Sequence, residues 1–269
     1  MPKAILLRSV FLALFVVALS AIVACGGSSE GKIVVTVYAA ASLSDAFRDI
    51  KEEFESANPS IEVKLNFAGS QRLRTQLELG ASADVFASAD EAQMALAEDA
   101  GLLAGPSQPF ASATMSVIAS ADSGIGAIAE IAAPGVKIAL AHESVPAGRY
   151  SRQLLDWLSG PDAGLSPDFA NRALANLVSE ETSVKFVEQK VVLGQADAGV
   201  VYRPGAITAE ATGSARALTL PRGSDSVRAR YPIASLRESG AQEWAGRFVE
   251  FVLSPPAQDI LSGYGFDAP

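Results

Sequence analysis

Two α/β lobes, each a sheet with helices on both faces, are what this sequence predicts, and three observations carry the prediction. Short apolar runs alternate with helical segments along the chain, the pattern of parallel strands joined by right-handed crossovers. With 269 residues, the chain has more such units than a single sheet comfortably holds. Gly/Pro-rich punctuation at 105–109 and again at 221–225 places two crossings between the groups, and two crossings make a hinge.

Ile33, Val34, Val35, Thr36, Val37 and Tyr38 form a continuous apolar run, as expected of a strand buried on both faces. Ala46, Phe47, Ile50 and Phe54 then recur at helical spacing, with Ser44 as the expected N-cap and Asn58-Pro59 as the stop. The unit repeats: a strand over 61–67, a turn at Gly69, a helix over 70–79 and a strand over 84–88. Further strands are expected at 114–119, 136–141, 198–202 and 215–220, and closing helices at 241–253 and 256–263. On this reading 32–112 with 228–269 make lobe 1 and 113–227 make lobe 2.

The first 24 residues form an export leader: a basic start (Lys3, Arg8), an apolar run from Val10 to Leu19 and small residues up to Cys25. Residues 25–31 then form a flexible tether. Cys25 is the only cysteine, which excludes an internal disulfide. Ile22-Val23-Ala24-Cys25 resembles the lipobox of bacterial lipoproteins, which implies cleavage before Cys25, acylation of its sulfur and a membrane anchor. The alternative is a plain secretory leader with an incidental cysteine.

The formal charge is −9, and removing the leader takes two cations and no acid from it, leaving −11. Such a surface repels anions, and the lack of a Lys/Arg cluster argues against nucleic acid as a partner. An anionic ligand would have to be held by local dipoles. Several strand-to-helix turns carry a small or hydroxyl residue where the helix begins: Ser42, Ser70, Ala147 with Gly148, and Val184. Helix starts offer unpaired N–H groups and a partial positive charge, so several converging on one point would bind an anion without lysine or arginine. Taken singly, Ser44, Ser70 and Thr182 read as ordinary helix caps.

The set gains meaning from a resemblance. AAASLSDAF at 39–47, FAGSQRLRTQ at 67–76, GASADVFASAD at 80–90, VPAGRYSRQ at 145–153, VVLGQADAGVVY at 191–202, RYPIA at 230–234 and GYGF at 263–266 resemble, in order and separation, the molybdate-binding receptors of ABC importers. The resemblance implies a type II periplasmic binding protein fold, molybdate or tungstate as ligand, a membrane permease as partner, a monomer and no cofactor. It implies as ligand contacts Ser42 and Ser70 through hydroxyl and backbone, Ala147 and Val184 through backbone N–H, and Tyr202 through its phenol. Gly69 stands where many members have serine, and 160–167 looks like a surface insertion.

Other classes are weaker. An enzyme triad would need His142, the only histidine, and the one G-x-S-x-G string, at 27–31, falls in the expected tether rather than between a strand and a helix, so it is no nucleophile elbow. No spaced ligand set for a bare metal ion is visible. Asp84 and Asp90 read as turn or cap residues. Arg149, next to the Ala147 turn, would overturn a charge-free site if it pointed inward. The rival reading is a receptor of the same fold for sulfate, an organic anion or an iron complex; a tyrosine pair would favour iron, but Tyr38, Tyr150, Tyr231 and Tyr264 do not fall at the expected pocket turns.

Overall fold

A computed structural model describes residues 31–269; the expected leader and Cys25 lie outside them. Nine strands form the sheet: β1 (Ile33–Ala40), β2 (Ile61–Ala68), β3 (Val85–Ala87), β4 (Gln108–Ser120), β5 (Ile138–Ala141), β6 (Leu177–Glu181), β7 (Ala198–Tyr202), β8 (Ala215–Ala217) and β9 (Arg228–Ser235). Their order is β2-β1-β3-β9-β4-β7-β5-β6, with β8 also on β4. The helices are α1 (Ser44–Ala57), α2 (Ser70–Glu78), α3 (Glu91–Asp99), α4 (Pro146–Leu158), α5 (Phe169–Ala175), α6 (Val184–Val192), α7 (Arg203–Ala211), α8 (Gln242–Val252) and α9 (Pro255–Gly263).

The strands fall into two groups that share β4. The parallel pairings β1–β2 and β1–β3 lie on one side and β5–β6 and β5–β7 on the other. Between them the sheet is antiparallel, which corrects the all-parallel expectation: β9 pairs with β3 and with the first half of β4, and β7 and β8 pair with its second half. The run 105–109 is therefore not a simple break. β4 starts inside it, and the expected strand at 114–119 is only its second half. The β4–β9 register shifts between Pro109 and Ala111, where Pro109 faces Pro232; neither proline can donate to the ladder, so pairing is weakest there.

One extended apolar core underlies both groups. The α1 residues Phe47, Ile50 and Phe54, spaced for one face, are buried against Phe248 of α8 and Phe110 of β4. Fully burying each such ring or aliphatic chain stabilises by about 1.5–3 kcal/mol. Asp84, 7% exposed, is more than a turn residue: its carboxylate accepts from the Thr36 N–H at 2.7 Å and from the Ser239 hydroxyl at 2.6 Å, tying β1 to the segment after β9.

Other local expectations also change. Residues 41–43 form a 3-10 turn and Ser44 is the first residue of α1, with no side-chain cap bond at that end. Ser183, not Thr182, precedes α6, again without a cap bond. The segment 160–167 is partly anchored, since it includes a 3-10 turn at Pro161–Ala163 whose Ala163 is buried. Strand β6 escapes the apolar-run criterion because it is half exposed and ends in Glu180-Glu181.

Candidate functional site

Ser42, Ser70, Ala147, Val184 and Tyr202 all line one cavity, together with Gly69, Ala89, Val145 and Pro146. Ser42 comes from the turn after β1 and Ser70 from the first residue of α2, both on the β2-β1-β3 side. Ala147 opens α4, Val184 opens α6 and Tyr202 ends β7, all on the β7-β5-β6 side. The cavity volume is about 10 Å³, far below the ~300–1,000 Å³ of sites for drug-sized ligands. Only a ligand of a few heavy atoms fits.

The local sequence explains the close approach. Pro146 sits at the first position of α4, where its missing N–H costs nothing. A Cβ on Gly148 would fall 2.0 Å from the His142 carbonyl oxygen, so glycine lets α4 start directly over the end of β5. A Cβ on Gly69 would fall 2.6 Å from the Thr182 carbonyl oxygen. The missing serine at 69 thus leaves room for the segment that leads into α6.

The polarity of the lining is one-sided. Ser70 Oγ, buried, accepts from the Ala89 N–H at 3.0 Å, which leaves its own proton for the cavity. Ser42 Oγ accepts from the Tyr231 hydroxyl at 3.2 Å. The Tyr202 side chain is 1% exposed and its hydroxyl has no partner among the described residues. Burial, reinforced by Tyr231 and Tyr150 and opposed by Arg149, raises the Tyr202 phenol well above the ordinary tyrosine range, so it is a neutral donor. The starts of α2, α4 and α6 add N–H groups that have no partner within their own helices. The cavity presents donors.

Arg149 does not line it. Its guanidinium pairs with the carboxylate of Asp90, which is buried and caps α3 by accepting from the Gln93 N–H at 2.8 Å. Two further ties join the same sides: Lys185 Nζ to Asp45 at 2.8 Å, and Gln71 Nε2 to the Thr182 carbonyl at 3.2 Å. Lys185 also contacts Glu188 at 2.9 Å. Burial opposes ionisation of Asp45, but the Lys185 hydrogen bond and charge, with Arg48, hold its pKa below the ordinary value.

A larger, more open cavity of about 670 Å³ adjoins, lined by Asp45, Arg48, Phe67, Lys185, Phe186 and Glu188 among others. Its cations face carboxylates that would repel an anion, so the small donor-lined cavity is the better anion site. His142 lies in an exposed turn, and among the described residues its imidazole bonds only to Ser144, with Nδ1 2.9 Å from Oγ. Among the described residues no group of three or more His, Cys, Asp or Glu is arranged to hold a metal ion. No helix among them is long and apolar enough to cross a membrane.

Sequence reasoning missed Tyr231. RYPIA carries it into the resemblance, but it lies mid-strand on β9 rather than at a strand-to-helix turn, so no local signal pointed to Ser42.

Comparison with known proteins gives a consistent picture. The pattern of the family described as bacterial extracellular solute-binding protein matches residues 35–267. The molybdate-binding protein ModA of Mycobacterium tuberculosis H37Rv is 38% identical over 259 residues, covering 92% of this chain and 93% of that protein. The periplasmic molybdate-binding protein of Azotobacter vinelandii superposes with a TM-score of 0.73 at 21% identity, over 87% of this chain and 99% of that one. The sulfate-binding protein SubI of M. tuberculosis superposes at 0.75 with 17% identity, over 88% and 87%. At such identities the two superpositions establish the fold alone, that of type II periplasmic binding proteins.

Proposed function

Since the chain belongs to the bacterial extracellular solute-binding protein family, we propose that it is the receptor of an ABC importer, capturing molybdate or tungstate outside the cytoplasmic membrane and delivering it to the permease. One observation carries the ligand class: the Tyr202 hydroxyl, fully buried without a partner among the described residues, faces a cavity whose serine oxygens already accept bonds. A buried donor set of this kind is costly when empty and is satisfied by an unprotonated tetrahedral anion.

Ser42 and Ser70 would each give a hydroxyl and an N–H, Ala147 and Val184 an N–H, and Tyr202 its phenol. Charge-assisted, each bond contributes roughly 1.5–3 kcal/mol before immobilisation and closure oppose it. A protonated anion such as hydrogen phosphate brings a hydroxyl that would meet another donor. Sulfate offers the same bare oxygens and is rejected only on size. The organic-carboxylate reading wants an inward arginine, which Arg149 does not provide. The iron reading wants ionised tyrosines, whereas burial keeps Tyr202 and Tyr231 protonated.

In this reading residues 32–112 and 228–269 form one lobe and 113–227 the other, hinged at β4 and β9, and the ligand bridges them. Cys25 carries the lipid anchor, the receptor is a monomer, it performs no catalysis, and it needs no cofactor because molybdate is cargo. Thermal melting with millimolar molybdate, tungstate, sulfate and phosphate tests the assignment. A ligand at ~1,000 times its Kd adds ~4 kcal/mol. Large shifts with the first two and small ones with the others are expected; no shift with either metal oxyanion would sink the reading.

A further inference from the structure

Tyr231 is not one of the five expected contacts, yet its hydroxyl reaches the first of them. The side chain is 0% exposed. Its ring is held edge-on against Phe266 at 5.3 Å, Phe110 at 6.3 Å and Tyr202 at 5.8 Å, so the hydroxyl has little freedom in where it points. Ser42 Oγ, at 3.2 Å, is its hydrogen-bond partner.

The polarity of that bond follows from what each group can do. A buried phenol kept neutral has one proton to place. If Ser42 donated instead, the Tyr231 proton would need a second acceptor, and none is found among the described residues. With Tyr231 donating, Ser42 Oγ is engaged as an acceptor and its own proton is free for the cavity. Ser70 reaches the same state through a backbone N–H, that of Ala89, which no substitution short of proline removes. Ser42 is the position where a side chain sets the polarity.

We propose that Tyr231 is a specificity-determining residue that acts through Ser42: by occupying the serine oxygen it makes the cavity a pure donor surface and excludes oxyanions that carry a proton. This inference rests on reading the cavity as an oxyanion site. Without the Tyr231 hydroxyl, Ser42 can turn and accept from a protonated anion, and its bond to a bare one is no longer enforced.

The test is calorimetric titration of the full chain with molybdate and with hydrogen phosphate, for wild type, Tyr231→Phe, Ser42→Ala and the double variant. Phenylalanine keeps the packed ring. Tyr231→Phe is expected to weaken molybdate about 3- to 10-fold and to narrow the molybdate-to-phosphate ratio. In the Ser42→Ala background the same change should alter the molybdate Kd by less than about 2-fold. An unchanged Kd or ratio, or an equal loss in both backgrounds, would overturn the proposal while leaving the anion-site reading intact. Wild-type protein that does not bind molybdate would overturn both. Should the Phe variant fail to fold, 3-fluorotyrosine at position 231, a stronger donor, should tighten molybdate; no change would count against the proposal.

Discussion

Replacing Tyr202 with phenylalanine should separate binding from stability, because the two effects have opposite signs. The hydroxyl is buried with no partner among the described residues, and an unsatisfied buried polar group costs about 1–3 kcal/mol. Tyr202→Phe removes that group and keeps the ring against Tyr150 and Tyr231, at 6.4 and 5.8 Å. The unliganded variant should therefore melt higher, by about 2–4 °C for each kcal/mol recovered in a protein of this size. Toward molybdate the same change deletes a charge-assisted bond of about 1.5–3 kcal/mol, so Kd should rise about 10- to 150-fold. Scanning calorimetry without ligand and isothermal titration with molybdate read the two effects. A lower melting temperature accompanied by unchanged affinity would refute the reasoning, since it would make Tyr202 a packing residue.

Three further outcomes are expected. Asp84→Ala leaves the Thr36 N–H and the Ser239 hydroxyl without their carboxylate and should cost about 3 kcal/mol, lowering the melting temperature by about 6–12 °C, as read by thermal unfolding. Gly69→Ala places a methyl against the Thr182 carbonyl; titration should show molybdate binding weakened at least about 10-fold, with the unliganded melting temperature changed by less than about 2 °C if the clash arises only when the two sides meet. Because the Asp45 pKa is depressed in the folded protein, its pairing with Lys185 contributes above the ordinary carboxylate value of about 3.9 and is lost as pH falls through the depressed value. Unfolding curves of wild type and Asp45→Asn should thus differ by about 0.5–1 kcal/mol at pH 6 and converge once the pH falls below the depressed Asp45 value.

Much of the fold was legible because apolar runs and helical spacing are local signals. Strand β7, helix α2 and the burial of Phe47, Ile50 and Phe54 follow from residues within a few positions of each other. What escaped depends on distant partners. The antiparallel β4–β9 pair joins segments more than a hundred residues apart, and its prolines locally resemble a loop. Edge strand β6 is too polar to register as a run.

The same division holds at the cavity. The five expected contacts stand at helix starts or a strand end, where motif and capping logic apply. Two partners that set its polarity do not: Tyr231 reaches Ser42 across 189 positions, and the Ala89 N–H reaches Ser70 from beyond β3. Asp90 read as a cap and is one, but its pairing with Arg149, which takes that guanidinium's charge, could be seen only in three dimensions.

The most direct measurement is a crystal structure of the protein grown with molybdate, with anomalous data collected at the molybdenum edge. The account predicts one anomalous peak in the cavity between Ser42, Ser70, Ala147, Val184 and Tyr202, with an anion oxygen about 2.5–3.0 Å from the Tyr202 hydroxyl. A peak in the larger cavity beside Arg48 and Lys185, or none at the donor-lined site, would contradict it.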